Sequence, residues 1–210
     1  MNHGVGWRMA AVVVILGLTC GSVAGAAPTI VLPRPGHVGV EVQGGYGTLV
    51  KSGDLGGVFG SGPAFAVRLR YRMRYERGVG LSFENDRLEI RVPEEFDPNT
   101  PPGQPPLPGR VRVNVVLSGL EFYQMFGTRT RTTKMLMVGA GLAQVSGRFA
   151  DNEAFYPGDG GFVSAGFGVE RFVFRSWALD FSTRYMMLLR PDDRSHDVQA
   201  ALGFMFYVGS

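Results

Sequence analysis

The sequence predicts an all-β fold, with eight antiparallel strands running up and down around a closed transmembrane barrel. Three observations carry this expectation. Apolar side chains recur with period two, glycine is abundant, and short and long connections alternate along the chain. The 210 residues suffice for one closed sheet without staples. The 31 glycines show no collagen-like period. Basic residues number 21 against 18 acidic ones, and the two kinds are interspersed. A formal charge of +3 spread in this way excludes a counterion-driven nucleic-acid binder.

Residues 1–26 read as a cleaved export signal. Arg8 precedes an apolar run from Met9 to Leu18, and Ala24-Gly25-Ala26 supplies the small residues of a secretory cleavage site. A run of that length is too short to cross a hydrocarbon core of about 30 Å as a helix. Cleavage after Ala26 removes Cys20, the single cysteine, and with it disulfide and thiolate chemistry. Residues 27–36 are then a Pro-containing periplasmic leader and residues 37–210 the barrel.

The strands follow in order. Val38 to Gln43 opens the series. From Phe65 to Tyr75, large apolar residues hold the odd positions, while Arg68, Arg70, Arg72 and Arg74 hold even ones. A helix would scatter these arginines, whereas a strand collects them on one face. Val79, Leu81 and Phe83 alternate with Gly80, Ser82 and Glu84. Val111 to Phe126 is extended, but its alternation breaks at Val115-Val116-Leu117, where a bulge is expected. Lys134 to Ser146 sets Leu136, Val138 and Leu142 against Gly139, Gly141 and Ala143. Phe162 to Phe174 sets Val163, Phe167 and Val169 against Ser164, Gly168 and Glu170. Trp177 to Leu189 sets Phe181 and Tyr185 against Asp180, Ser182 and Arg184, and the last strand runs to Val208.

Tight turns are expected at Glu76-Arg77-Gly78, Gly127 to Arg131 and Arg175-Ser176, and longer loops at 51–62, 93–110, 151–160 and 190–195. All short turns then fall at one end, as in a membrane barrel whose amino end is periplasmic. The loop 93–110 holds seven of the thirteen prolines and should be extended and exposed. Keeping Tyr75 and Val79 on one face calls for a three-residue turn with a left-handed Gly78. That register sets Arg70 opposite Glu84 and Arg68 opposite Asp86.

Alternation alone leaves the inside undecided, since a soluble lipocalin-like binder has the reverse faces of a membrane barrel. The polar face carries Gly, Ala and Ser beside its charges, as a narrow filled lumen requires. The apolar face is too bulky for that lumen, and aromatics gather near strand ends. Leader, strands and terminal segment together resemble small bacterial outer-membrane barrels of the OmpA/OmpX type. The resemblance covers residues 37–210. It implies residence in the bacterial outer membrane as a monomer, beside outer-membrane lipid and lipopolysaccharide. It also implies recognition by the barrel insertion machinery through the last strand, where Gly203, Phe206 and Val208 match the family's signal in spacing. Ala201 departs from it, and the chain continues through Gly209-Ser210.

Similar barrels include enzymes that modify lipid with His, Ser and a carboxylate. Here His37 and His196 fall at opposite barrel ends, and neighbours in Ser195-His196-Asp197 point to opposite faces, so His196 reads as a solvated loop residue. Asp151, Glu153, Asp159, Asp192 and Asp193 lie on loops without the spacing of a calcium loop. No catalytic residues, metal or cofactor are therefore expected. The polar face holds Glu41, Arg68, Arg70, Arg72, Glu84, Asp86, Glu170, Asp180 and Arg184. Charges in a narrow lumen must pair, which Arg does well with its planar fork of donors. The expected function is a structural or surface-interaction barrel closed by these pairs, with partners meeting loops 51–62, 93–110 and 151–160. The alternatives are a narrow channel for ions or small solutes, a lipid-modifying enzyme and a secreted lipocalin-like binder.

Overall fold

Period-two alternation sorts the side chains of each strand between two environments. The structure, a computed structural model, describes residues 30–52, 60–91, 110–148, 154–155, 158–190 and 194–209. The expected export signal lies outside the described residues, as do loop positions 53–59, 92–109, 151–153 and 191–193. The strands are β1 (Val38–Ser52), β2 (Gly60–Arg74), β3 (Arg77–Arg91), β4 (Arg110–Phe126), β5 (Thr132–Arg148), β6 (Ala154–Phe155), β7 (Gly160–Phe174), β8 (Trp177–Leu189) and β9 (Arg194–Val208). All main pairings are antiparallel between chain neighbours, β5 pairs β7, and β9 returns to β1. Eight long strands thus close a barrel with no free edge.

Closure settles which face is inside. Leu120 is 67% exposed, Leu142 69% and Phe204 58%, all on the outer wall. Arg70, Arg72, Glu41 and Glu170 are fully buried inside. A soluble binding barrel needs the opposite arrangement, so this is a transmembrane β-barrel fold and the lipocalin-like alternative is set aside.

Several local expectations are corrected. The β2–β3 turn consists of Tyr75 and Glu76, with Arg74 paired to Arg77. A bulge between Arg72 and Arg74 takes up the odd residue, so Gly78 needs no left-handed conformation and has none. The bulge also turns Arg74 outward, away from the other three arginines. Arg70 pairs with Gly80 and Arg68 with Ser82, not with Glu84 and Asp86. β4 runs without a register shift against both neighbours. Its broken alternation arises because Val113, Val115 and Leu117 face inward and Val116 outward. The interior is therefore less polar than the sequence suggests. The expected loop 151–160 contains β6, which pairs Phe155 with Gly147. His196 belongs to β9, where its Nδ1 shares a hydrogen bond with the Tyr185 hydroxyl on the outer wall.

Candidate functional site

The inward faces bring charges from six of the eight long strands into one network. The β2 alternation supplies Arg68, Arg70 and Arg72. Arg70 reaches Glu41 of β1 at 3.2 Å, Glu170 of β7 at 3.3 Å and Asp180 of β8 at 3.8 Å. Arg72 meets Glu170 at 3.2 Å, and the Tyr207 hydroxyl donates to the same carboxylate at 3.2 Å. Arg68 lies 3.6 Å from Glu84 and 3.4 Å from Glu121. Arg184 of β8 pairs with Glu84 and, at 3.0 Å, with Glu121 of β4. Gln199 of β9 donates to Glu84 at 2.7 Å and to Asp86 at 3.3 Å. All nine charged residues singled out in the sequence thus lie buried in one cluster.

Neutral groups complete it. Gln43 donates to Glu41 and to Asp180, and accepts from Arg68, which joins the two halves of the network. The Arg70 guanidinium stands 4.3 Å from the centre of the Tyr123 ring, and that of Arg72 stands 4.9 Å from the Tyr207 ring. Gly203 faces inward against Gln43, and a Cβ there would meet Val42 O at 2.6 Å. Phe206 and Val208 face outward, Phe206 lying 4.7 Å from Trp177 between ring centres.

Sequence reasoning missed Glu121, Asp197, Gln43, Gln199, Tyr123 and Tyr207. Glu121 and Tyr123 share odd parity with Val113, Val115 and Leu117, so finding them requires accepting that large apolar residues face the lumen. With Asp197 and Glu121 included, the described buried residues hold seven carboxyl groups against four arginines.

Apolar layers lie on both sides of the charges. Towards the loops, Leu49, Leu88, Val115, Leu117, Phe162 and Leu188 belong to one cluster. The Phe162 ring lies over the paired Gly119 and Gly141, where added Cβ atoms would meet it at 2.6 and 2.8 Å. Towards the turns, Met125, Met135 and Met137 pack with Tyr123. Phe172, Ala178, Met205 and Tyr207 form a third cluster, against which Ile30 and Leu32 of the leader pack. Val31 N donates to Arg175 O at 3.1 Å and Gly36 N to Arg72 O at 2.7 Å, tying the leader to the turn end.

The two histidines stay apart. His37 lies beside Gly209 at the turn end, and Ser195 and Asp197 are buried while His196 faces outward. Asp159 is exposed, and the other acidic loop positions lie outside the described residues. Among the described residues, no three His, Cys, Asp or Glu side chains are grouped to hold a metal ion.

No family model and no curated protein matches the chain. Solved structures do match in fold. Neisserial surface protein A is similar at a TM-score of 0.58 and 14% identity, covering 81% of this chain and 98% of its own. A major outer membrane protein from Thermus thermophilus gives a TM-score of 0.54 at 11% identity, covering 81% and 99%. Ail, the attachment invasion locus protein of Yersinia pestis, in complex with the heparin analogue sucrose octasulfate, gives 0.52 at 11%, covering 82% and 100%. The chain shares the architecture of small eight-stranded outer-membrane barrels.

Proposed function

We propose that this chain is a monomeric bacterial outer-membrane barrel with a structural or surface-interaction role and no catalytic activity. Its lumen is closed by paired charges. The observation that carries this reading is the buried network from Arg72 to Asp86, held between apolar layers and capped at the turn end by Ile30 and Leu32. Eight-stranded interiors are commonly filled by side chains rather than water. The outer wall supplies the apolar surface that lipid demands, and Gly203, Phe206 and Val208 serve the insertion machinery as the signal of the last strand. The solved barrels of this fold carry outer-membrane and surface names, and one holds a polysulfated ligand, in keeping with a surface role.

Two measurements test the reading. The folded protein from the outer-membrane fraction should run at a different apparent size in gels until boiled. In planar bilayers it should give no conductance steps above the lipid background. A soluble periplasmic protein without a heat shift overturns the membrane reading, and reproducible steps overturn the closed lumen.

A further inference from the structure

The outward face of β4 carries Phe126, Phe122, Leu120 and Val116 as its large side chains, with Gln124 and Ser118 at the two positions between them. At about 3.3 Å per residue and a tilt of about 40°, that stretch covers about 25 Å, the height of a barrel's lipid-facing band. The next outward residues, Asn114 and Arg112, stand about 5 and 10 Å beyond it by the same geometry, at the level of lipid headgroups. Both described chain ends lie at the short-turn end, where Val31 meets Arg175 and Gly209 meets His37. In barrels of this topology that end is periplasmic, so Arg112 faces the outer leaflet.

The neighbouring strands extend this into a patch. One row across the wall reads Arg87, Asn114, Ser146, and the next reads Glu89, Arg112, Arg148. Beyond them Arg91 pairs with Arg110 in the ladder. Arg87, Arg112 and Arg148 are exposed, and none takes part in an ion pair among the described residues. Arginines directly opposite one another destabilise a sheet, yet here Arg112 of β4 stands directly opposite Arg148 of β5. An anion lying across them removes that cost. Across the barrel, β8 keeps an apolar outward face up to Tyr185 and Met187, and β9 adds the single exposed Arg194 beside Leu189.

We propose that Arg87, Arg112 and Arg148 form a binding surface for the phosphate groups of lipid A on the outer wall of β3, β4 and β5. This rests on the outer-membrane reading above. Guanidinium groups engage phosphate oxygens in pairs, and the two rows lie about 7 Å apart on strands about 4.8 Å apart, which lets one phosphate touch more than one arginine. Glu89 is the one acid in the two rows, leaving three arginines against one carboxylate. The polar Asn114 and Ser146 add hydrogen-bonding capacity beside them.

The test uses the full folded chain in detergent, with bound lipid counted by native mass spectrometry. The probes are bis-phosphorylated lipid A, dephosphorylated lipid A, phosphatidylglycerol and inorganic phosphate. Bis-phosphorylated lipid A should be retained and its dephosphorylated form lost. The double variant Arg112→Gln/Arg148→Gln should weaken retention about thirtyfold, the combined effect of two basic residues near an anionic surface. The turn-end control Arg77→Gln/Arg129→Gln should bind as the parent does. Equal retention by a correctly heat-shifting Arg112→Gln/Arg148→Gln protein overturns the proposal. So does displacement of lipid A by equimolar inorganic phosphate, or by phosphatidylglycerol. A chain that neither fractionates with the outer membrane nor shifts on heating refutes the membrane reading itself, which separates the two failures.

Discussion

Arg72 and Glu170 sit on diametrically opposed strands, four steps apart in either direction around the ring, and their side chains meet at 3.2 Å. The pair therefore crosses the barrel axis, as do Arg70–Glu170 and Arg184–Glu84. Both side chains are fully buried, and Glu170 also receives Arg70 and the Tyr207 hydroxyl.

Removing that shared carboxylate strands the buried Arg72 and takes one of three carboxylates from Arg70. Glu170→Ala should destabilise the barrel by about 3–5 kcal/mol, the usual cost of breaking a buried pair by deleting one partner. Urea unfolding in detergent micelles, followed by tryptophan fluorescence, measures it. The double change Glu170→Ala/Arg72→Met should recover most of the loss, because Arg70 keeps Glu41 and Asp180 and no stranded cation remains. If Glu170→Ala unfolds at the parental midpoint, the network does not hold the barrel together.

Phe162 occupies space that only glycine leaves free on β4 and β5. Gly119→Val should cost about 1–3 kcal/mol through overpacking against its ring. Gly44 lies on the outer wall with nothing within 4 Å of an added Cβ. Gly44→Ala should be neutral or stabilising by about 0.5–1 kcal/mol, since alanine loses less chain entropy than glycine on folding. The same unfolding measurement ranks both, and a reversed order would contradict the packing described.

The leader should act as part of the barrel. Ile30→Asp/Leu32→Asp would place carboxylates against Phe172, Met205 and Tyr207. The loss of apolar contact alone should lower stability by about 2–3 kcal/mol. Limited proteolysis at the folded amino end should become faster. Unchanged cleavage and unfolding would show that this segment does not seal the turn end.

The outer wall makes a depth-dependent prediction. Leu120 lies near the middle of the apolar stretch on β4, so Leu120→Arg should oppose insertion by about 2–4 kcal/mol. The same substitution at Asn114, beyond the apolar band, should cost about 1 kcal/mol or less. Refolding into phospholipid vesicles across a denaturant series gives both values. Equal costs would mean that β4 does not span the bilayer in this orientation.

The strand pattern determined a great deal on its own. Period-two alternation in β2, β8 and β9 separates inward from outward residues, because a strand side chain has only two directions available. The charged lumen residues follow from the same parity, and so does the outward placement of Phe206 and Val208. In β4 the rule loses force, since its odd positions carry Val113, Val115 and Leu117 beside Glu121 and both faces look apolar. The turn was misread because a bulge at one residue preserves the parity of β3 while changing its register.

Tertiary structure decided what no single strand contains. Pairing partners such as Arg72 and Glu170 are 98 residues apart, and their meeting depends on the number of strands and the stagger at closure. The juxtaposition of Arg112 and Arg148 depends on register across a hairpin, which alternation leaves free to slide by two residues without moving any side chain to the other face. The docking of Ile30 and Leu32 onto the turn end likewise needs the finished barrel, because Phe172, Met205 and Tyr207 form one surface only after β7 and β9 lie side by side with β8 between them. Local chemistry therefore set each residue's face, while closure of the ring set its partner.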